Sequence, residues 1–280
     1  MVANAVIPDV ADLVFAGNRA VGRIVMSAKL ADGATRRARV LEEGALRLRC
    51  PGPPAPELQA VVINTSGGMA GGDRFELELA VGPGARLLLT SAAAEKVYRT
   101  LGPESTVAAK LTVAPGGEFA WLPQETILFD RARLRRTIEV DLAGDARLLL
   151  AEAVVFGRSG MGETVTEGFL LDRWRVRRDG RLLHAETARM DGPVAARLAQ
   201  SAVAKGGVAI ATVLLAPGDD TMVAAVRDVS PQCRGEIGAS AWNGLAVIRL
   251  VAADGAALRH DLVRVLTAIR GTKLPRLWLH

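Results

Sequence analysis

Short stretches of alternating apolar and polar residues, separated by glycine turns, recur along most of this sequence. Residues 75–79 alternate cleanly, and the turn Gly82-Pro83-Gly84 leads from them into the apolar run Leu87-Leu88-Leu89. Alternation with period two predicts half-buried β-strands, and a Pro-Gly or Asp-Gly turn between two such stretches is typical of a hairpin. The uninterrupted leucine runs predict strands that are buried on both faces. The sequence therefore predicts an all-β fold.

The same unit of strand, glycine turn and strand recurs, with turns at residues 32–33, 82–84, 115–117, 144–145, 179–180 and 254–255. In the middle of the chain the units follow one another about every 30 residues, which indicates layered sheets or an irregular, β-helix-like solenoid. No linker divides the chain, so we expect a single domain over residues 1–280. Its ends, 1–16 and 272–280, are expected to be flexible or bound to a partner.

Two segments depart from the strand pattern and predict α-helices. The first covers residues 194–205, after the turn Gly192-Pro193, and the second covers residues 259–270, before Gly271. Proline at the start and glycine just after the end are typical of helix boundaries. Residues 273–278 are predicted to form an extended tail.

Charge and composition narrow the class of partner. The chain has 35 basic and 30 acidic residues, but its arginines are not interleaved with the aromatic side chains typical of single-strand nucleic-acid binders. An acidic protein partner explains this charge balance at least as well as nucleic acid does, and no nucleic-acid partner is expected. No apolar run approaches the roughly 20 residues of a membrane span, so no membrane association is expected. Cys50 and Cys233 are too few for a disulfide framework, and they predict free thiols and a cytoplasmic protein.

A glycine-rich run occupies residues 64–73, Asn-Thr-Ser-Gly-Gly-Met-Ala-Gly-Gly-Asp. Four glycines within six residues indicate a close backbone approach, either to a ligand or to another part of the chain. A phosphate-binding loop would end in Gly-Lys-Ser/Thr and lead into a helix, whereas this run ends in Asp73-Arg74 and leads into a strand. The run therefore does not predict a nucleotide site.

The sequence offers few groups for tight metal binding or nucleophilic catalysis. The three histidines, at positions 184, 260 and 280, have no partner at ligand spacing, and neither Ser66 nor Ser159 lies in a nucleophile elbow. Several carboxylates lie near apolar segments, where each could hold an ion weakly or serve as a surface or ion-pair residue. They are Asp73, Glu95, Glu125, Asp130, Glu152 and Glu163. A carboxylate pair for glycoside chemistry stays open, since its separation is a three-dimensional quantity.

The segment that follows the leucine run is a candidate partner surface. It contains Lys96, Tyr98 and Arg99 beside several alanines, and Tyr98 is the single tyrosine of the chain. A tyrosine and an arginine among small residues are typical of a docking surface. The same segment could equally be a helical turn or a tight crossover after a buried strand.

Four motifs, in order, resemble the UreD (UreH) family of urease accessory proteins. They are the glycine-rich run at 64–73, the segment 88–99, which is close to the family's Thr-x-Ala-x-x-Lys-x-Tyr-Arg segment, the segment 122–127 with Pro-Gln-Glu, and the segment 156–163. The resemblance covers most of the chain. It implies an all-β accessory protein with a couple of helices that is not itself an enzyme.

The resemblance also implies partners and cargo. Proteins of this kind bind the urease apoprotein and UreF, which recruits the GTPase UreG, and they are thought to pass nickel through an internal, water-filled tunnel. No tightly bound cofactor is then expected, only transient nickel. By motif position, Asp73, Glu125 and Glu163 are predicted to face the nickel path or the UreF interface. The alternatives are an all-β binding module unrelated to urease, a carboxylate-based carbohydrate-active enzyme and a nucleic-acid binder.

Overall fold

The computed structural model describes residues 17–279, which form seventeen β-strands and three α-helices. The helices are α1 (Val194–Leu198), α2 (Asp220–Val229) and α3 (Gly255–Arg270). The strands are β1 (Val21–Ala31), β2 (Ala34–Gly44), β3 (Leu46–Arg49), β4 (Glu57–Asn64), β5 (Arg74–Val81), β6 (Arg86–Ser91), β7 (Glu95–Val97), β8 (Ser105–Val113), β9 (Glu118–Trp121), β10 (Thr126–Leu128), β11 (Arg133–Leu142), β12 (Arg147–Phe156), β13 (Gly168–Arg178), β14 (Arg181–Gly192), β15 (Ala209–Ala216), β16 (Glu236–Trp242) and β17 (Leu245–Ala252).

The strands form two sheets. The first has seven strands in the order β14-β13-β11-β8-β5-β1-β2. The second has ten strands: eight in the order β16-β17-β15-β12-β9-β6-β4-β3, with β10 paired to β12 and β7 paired to β10. Strands β5, β8 and β11 are parallel in the first sheet, and β6, β9 and β12 are parallel in the second. The chain thus alternates between the sheets in stacked layers, which confirms the all-β, β-helix-like prediction.

Most of the predicted hairpins in the middle of the chain are wrong. The turns at 82–84, 115–117 and 144–145 carry the chain from one sheet to the other. Of the turns predicted from the sequence, those at 32–33 and 179–180 close antiparallel hairpins. The inter-sheet turns bond to one another: Gly84 N donates to Pro115 O (3.2 Å), and Gly116 N donates to Asp145 Oδ1 (2.6 Å). A glycine turn permits either geometry, and long-range pairing with the next layer decides between them.

The second sheet is buried on both faces. Leu87 and Leu89 point toward the first sheet, whereas Leu88 points toward the helices, and all three are at most 2% exposed. On the helix side, Leu262 and Leu266 of α3 pack in the same cluster as Leu88. This three-layer arrangement confirms the prediction that the leucine run is buried on both faces.

The helices differ from the prediction at their boundaries. Helix α1 ends at Leu198, so the predicted helix over 194–205 is only five residues long. Helix α3 begins at Gly255, since Asp254 caps it by accepting from Ala257 N (2.8 Å), and the turn at 254–255 is therefore not part of a hairpin. Helix α2 was not predicted. Its sequence signal is Asp219, whose side chain caps the first turn.

The C-terminal segment is also not the predicted extended tail. A short 3₁₀ helix covers Arg276–Trp278, and Trp278 is buried, with its Nε1 donating to Leu122 O (3.1 Å). The expectation for residues 1–16 lies outside the described residues. Between residues 17 and 279, no helix combines the length and the apolarity that a membrane crossing needs.

Candidate functional site

The glycine-rich run packs directly against the Tyr98 segment. Met69 N donates to Lys96 O (2.7 Å), and Tyr98 N donates in turn to Met69 O (2.8 Å). The Tyr98 hydroxyl donates to Gly67 O (2.7 Å), and a Cβ on Gly68 would lie 2.5 Å from the Tyr98 ring. The glycines therefore allow close contact between two motifs that lie about 30 residues apart in sequence.

Asp73 ends this run as a buried structural residue. Its Oδ1 accepts from Ala20 N (2.8 Å), and its Oδ2 accepts from Ala70 N (2.7 Å). Because both carboxylate oxygens accept backbone hydrogen bonds, Asp73 holds the glycine-rich run against the chain that leads into β1.

The other predicted site residues are half-buried or exposed. Glu125 pairs with Arg259 of α3 (3.2 Å), and Glu163 accepts from Arg158 Nε (2.7 Å). Lys96 and Arg99 are exposed. Arg99 and Glu163 share a surface cavity of about 450 Å³, whose lining residues are Arg99, Phe129, Asp130, Arg131, Arg158 and Glu163. The structure thus places Arg99 near Glu163 and leaves Glu125 on the helix side of the second sheet.

Two cavities lie between the two sheets. We call them the front cavity and the rear cavity, and together the paired cavities. The front cavity has a volume of about 100 Å³ and the rear cavity about 30 Å³, so each exceeds the ~10–15 Å³ that one water needs. Arg136 and Glu152 line both cavities. Glu95 adds a carboxylate to the front cavity, and Asp172 and Glu186 add two to the rear cavity. None of Asp73, Glu125 and Glu163 lines either cavity.

A buried cluster of three charges separates the two cavities. The guanidinium of Arg136 donates through Nη1 to Glu152 and through Nη2 to Asp172. Trp121 Nε1 donates to Glu152 (2.7 Å), and Trp174 Nε1 donates to Asp172 (2.9 Å). Two carboxylates thus surround one guanidinium, and each carboxylate has an indole N–H as a further donor.

Burial and ion pairing shift the pKa values in this cluster. Burial alone would lower the pKa of Arg136, but Asp172 and Glu152 outweigh it and raise that pKa, so the guanidinium stays charged. Burial raises the pKa of Glu152, although Arg136 opposes the shift. The arginine therefore holds a carboxyl group that is otherwise poorly solvated.

The pKa values of Glu95 and Glu186 are shifted in opposite directions. Burial raises the pKa of Glu95 to about 7, although Asn64 donates a hydrogen bond to it (2.9 Å). Burial alone would also raise the pKa of Glu186. Hydrogen bonds from His184 and Arg249 outweigh this effect and lower the pKa of Glu186 to about 2. At neutral pH the rear cavity thus carries an ionised Glu186, whereas Glu95 in the front cavity is partly protonated.

The charged residues of the paired cavities carry a sequence signal of their own. Within their strands, Arg136, Glu152 and Asp172 stand at the positions that otherwise point into the core, as Ile138, Leu150 and Trp174 do. A charge at an inward position of an alternating strand predicts a buried ion pair or a polar cavity. The sequence shows this alternation, but which charged side chain each of these residues meets in the facing sheet depends on the topology.

The described residues form no compact metal site. Between residues 17 and 279, no group of three or more His, Cys, Asp and Glu side chains is arranged to hold an ion. Cys50 and Cys233 are free thiols, as predicted, and burial raises the pKa of both. Carboxylates in the front and rear cavities could contact a cation singly, among linings that are otherwise largely apolar.

Comparison with known proteins places the chain in a family. Residues 20–279 match the family model described as UreD urease accessory protein. The chain is 54% identical to "Urease accessory protein UreD" of Rhodopseudomonas palustris strain BisB18, over 95% of this chain and 96% of the relative. It is 52% identical to "Urease accessory protein UreD 3" of Bradyrhizobium sp. strain BTAi1, over 95% of this chain and 96% of that protein. The chain therefore belongs to the UreD family of urease accessory proteins.

Proposed function

We propose that this protein takes part in the maturation of urease, as a scaffold that joins the urease apoprotein to UreF and UreG in the cytoplasm. Family membership supports the accessory role. We further propose that nickel, as cargo, passes through the paired cavities. The observation that carries this second step is the series of carboxylates along the front and rear cavities, Glu95, Glu152, Asp172 and Glu186, with one arginine, Arg136, among them.

The chemistry of the cavities suits a cation in transit. Carboxylate oxygens and water bind divalent ions, but a tight nickel site would add imidazole or thiolate ligands. Glu152 and Asp172 lie on either side of Arg136, so a cation between the cavities would compete with the guanidinium for the same oxygens. Such competition limits how firmly the ion is held, which favours its release.

Urease activation in cells that also produce UreF, UreG and the urease apoprotein tests the nickel route. The variants Glu95→Gln and Glu152→Gln keep side-chain size and each replace an ionisable carboxyl group by a neutral amide. We expect each to lower the nickel content of urease several-fold while the variant still copurifies with UreF and UreG. Glu76→Gln is the matched control, since Glu76 is exposed and lines neither cavity. Normal nickel loading by a folded Glu95→Gln/Glu152→Gln double variant would exclude the route.

The three carboxylates singled out by motif position need a separate test. Alanine substitution of Asp73, Glu125 and Glu163, one at a time, asks whether they contribute to the nickel path or to the UreF interface. Reduced copurification with UreF would assign a residue to the interface. Unchanged activation by all three variants would remove them from both roles. The same copurification assay, applied to alanine variants of Lys96, Tyr98 and Arg99, tests the proposed partner surface.

The proposed role is not catalytic. We expect the purified protein, without UreG and urease, to hydrolyse neither GTP nor urea. The carbohydrate-active alternative would need two carboxylates open to a sugar, whereas Glu152 and Asp172 are buried and bonded to one guanidinium. Turnover by a clean preparation would overturn the scaffold role.

A further inference from the structure

A third cavity lies at one end of the second sheet, away from the paired cavities. It has a volume of about 420 Å³ and lies between the first residues of β6, β9 and β12 and the last turn of α3. Its size falls within the range of ~300–1,000 Å³ that is typical of small-molecule sites. Ala120, Leu149, Leu215 and Ile269 give it an apolar part. We call it the end cavity.

A row of alternating charges lines the end cavity. The strand register places Glu57, Arg86, Glu118 and Arg147 side by side across β4, β6, β9 and β12. Arg86 pairs with Glu118 (3.2 Å), and Glu57 pairs with Arg270 at the end of α3 (2.9 Å). Arg147, the last of the row, forms no ion pair or side-chain hydrogen bond with any residue between 17 and 279. The lining therefore has three arginines and two carboxylates, which leaves one positive charge.

Arg270 supplies an independent observation. Its side chain is only 5% exposed, and its Nη2 is occupied by Glu57. Its Nη1 is buried and has no acceptor within the described part of the chain. A buried donor without an acceptor is unfavourable, so an acceptor that enters the cavity would stabilise the guanidinium. The C-terminal end of α3 carries partial negative charge, which Arg270 in its last turn offsets.

We propose that the end cavity binds an apolar monocarboxylate. The carboxylate accepts hydrogen bonds from Arg147 and Arg270, and the hydrocarbon part contacts Leu149, Leu215 and Ile269. A single negative charge matches the single excess positive charge of the lining, and arginine is well suited to a carboxylate because its planar fork can donate two parallel bonds. Two sources offer this chemistry: a free organic acid and the C-terminal carboxylate of a peptide with an apolar last side chain.

Calorimetric titration of the full-length protein with octanoate tests the proposal, with acetate and octanol as probes that lack one half of the chemistry. We expect octanoate to bind, and acetate and octanol to bind at least ten-fold more weakly. Arg147→Gln removes an exposed charge and should weaken octanoate at least five-fold. Arg181→Gln, an exposed arginine on the other sheet, is the matched control and should leave binding unchanged. Thermal unfolding of both variants checks that they are folded.

Two further probes identify the source. Acetyl-Leu-Leu with a free carboxylate and the same peptide as its amide differ only in the terminal charge. Tighter binding of the free peptide than of octanoate assigns the cavity to a chain terminus, and the reverse order assigns it to a free acid. Equal binding of octanoate to wild type and Arg147→Gln, or no binding of octanoate and of the peptide, would overturn the proposal.

Discussion

Arg136 and Glu152 form an ion pair that is buried between the two sheets, and each of these side chains lines both the front and the rear cavity. The pair joins β11 of one sheet to β12 of the other. It therefore links the sheets and divides the space between them. The structural role and the proposed transport role coincide at this position, so the stability of each variant needs to be measured before its effect on nickel transfer is interpreted.

Replacing Arg136 by Met should destabilise the fold strongly. Arg136 balances Glu152 and Asp172, and removing one partner of a buried ion cluster leaves uncompensated charge, at a cost of about 3–5 kcal/mol. Urea denaturation measures the change in the free energy of unfolding. The triple variant Arg136→Met/Glu152→Gln/Asp172→Asn removes all three charges and should recover much of the loss. A triple variant no more stable than the single one would contradict this account of the cluster.

Replacing Glu95 by Gln should change how stability depends on pH. The pKa of Glu95 is raised by burial from the ordinary value of 4.5 to about 7, so the folded state binds more protons than the unfolded state between these values. The contribution of Glu95 to the free energy of unfolding is therefore fully present below pH 4.5. It is lost as pH rises toward 7, by up to about 3 kcal/mol. The glutamine side chain of the variant stays neutral at every pH, so this fall should shrink and the variant should be more stable than wild type at pH 8.

Denaturation midpoints at pH 5 and pH 8 measure this effect. Glu76→Gln is a suitable control, because Glu76 is exposed and forms no ion pair or side-chain hydrogen bond with a described residue. The control should show the same pH dependence as wild type. If Glu95→Gln also showed the wild-type dependence, Glu95 would not be the group responsible.

The strand content of this fold follows from local sequence, whereas strand pairing does not. The alternation at 75–79 predicts β5, and the leucine run predicts a strand buried on both faces. The glycine turn between them fits both a hairpin and a passage to the other sheet. The choice depends on whether β5 pairs with β6 or with β8, and the contacts with β8 come from a residue range about 30 positions away. Such non-local pairing has no local signature.

The candidate site could be predicted only in part, because the direction in which a side chain faces depends on the fold as well as on local sequence. Glu95 and Glu152 stand out in sequence as carboxylates near apolar segments, and the resemblance directs attention to Asp73, Glu125 and Glu163 instead. Motif position indicates which residues matter to a family, but it does not tell which of them face the interior. Arg136 was missed because it lies among other arginines at 133–136, and only its inward position distinguishes it.

Replacing Gly71 by Ala should disrupt the contact between the glycine-rich run and the Tyr98 segment. A Cβ at this position would lie 2.0 Å from Thr100 Oγ1 and 2.7 Å from Pro103 O, and the second of these is backbone. Overpacking of this kind costs about 1–3 kcal/mol or more. Gly238→Ala is the control, since a Cβ there meets nothing within 4 Å. Thermal unfolding should separate the two variants clearly, and equal midpoints would show that the run can shift at little cost.

Replacing Asp73 by Asn should lower stability, although the two side chains have nearly the same shape. The Asp73 carboxylate accepts from Ala20 N and from Ala70 N, whereas an amide has one acceptor oxygen and would turn its NH₂ group toward the other donor. Leaving a buried donor unpaired costs about 1–3 kcal/mol, which urea denaturation can measure.

The same variant separates the two roles open to Asp73. If Asp73 only holds the loop, urease activation by Asp73→Asn should fall in proportion to the folded protein present in the cells. If it also contacts nickel, activation per folded molecule should fall further, and Glu125→Gln provides the comparison for a surface carboxylate. Because both oxygens of Asp73 already accept backbone hydrogen bonds, we expect the first outcome. A stable Asp73→Asn variant that fails to activate urease would contradict it and return Asp73 to the nickel path.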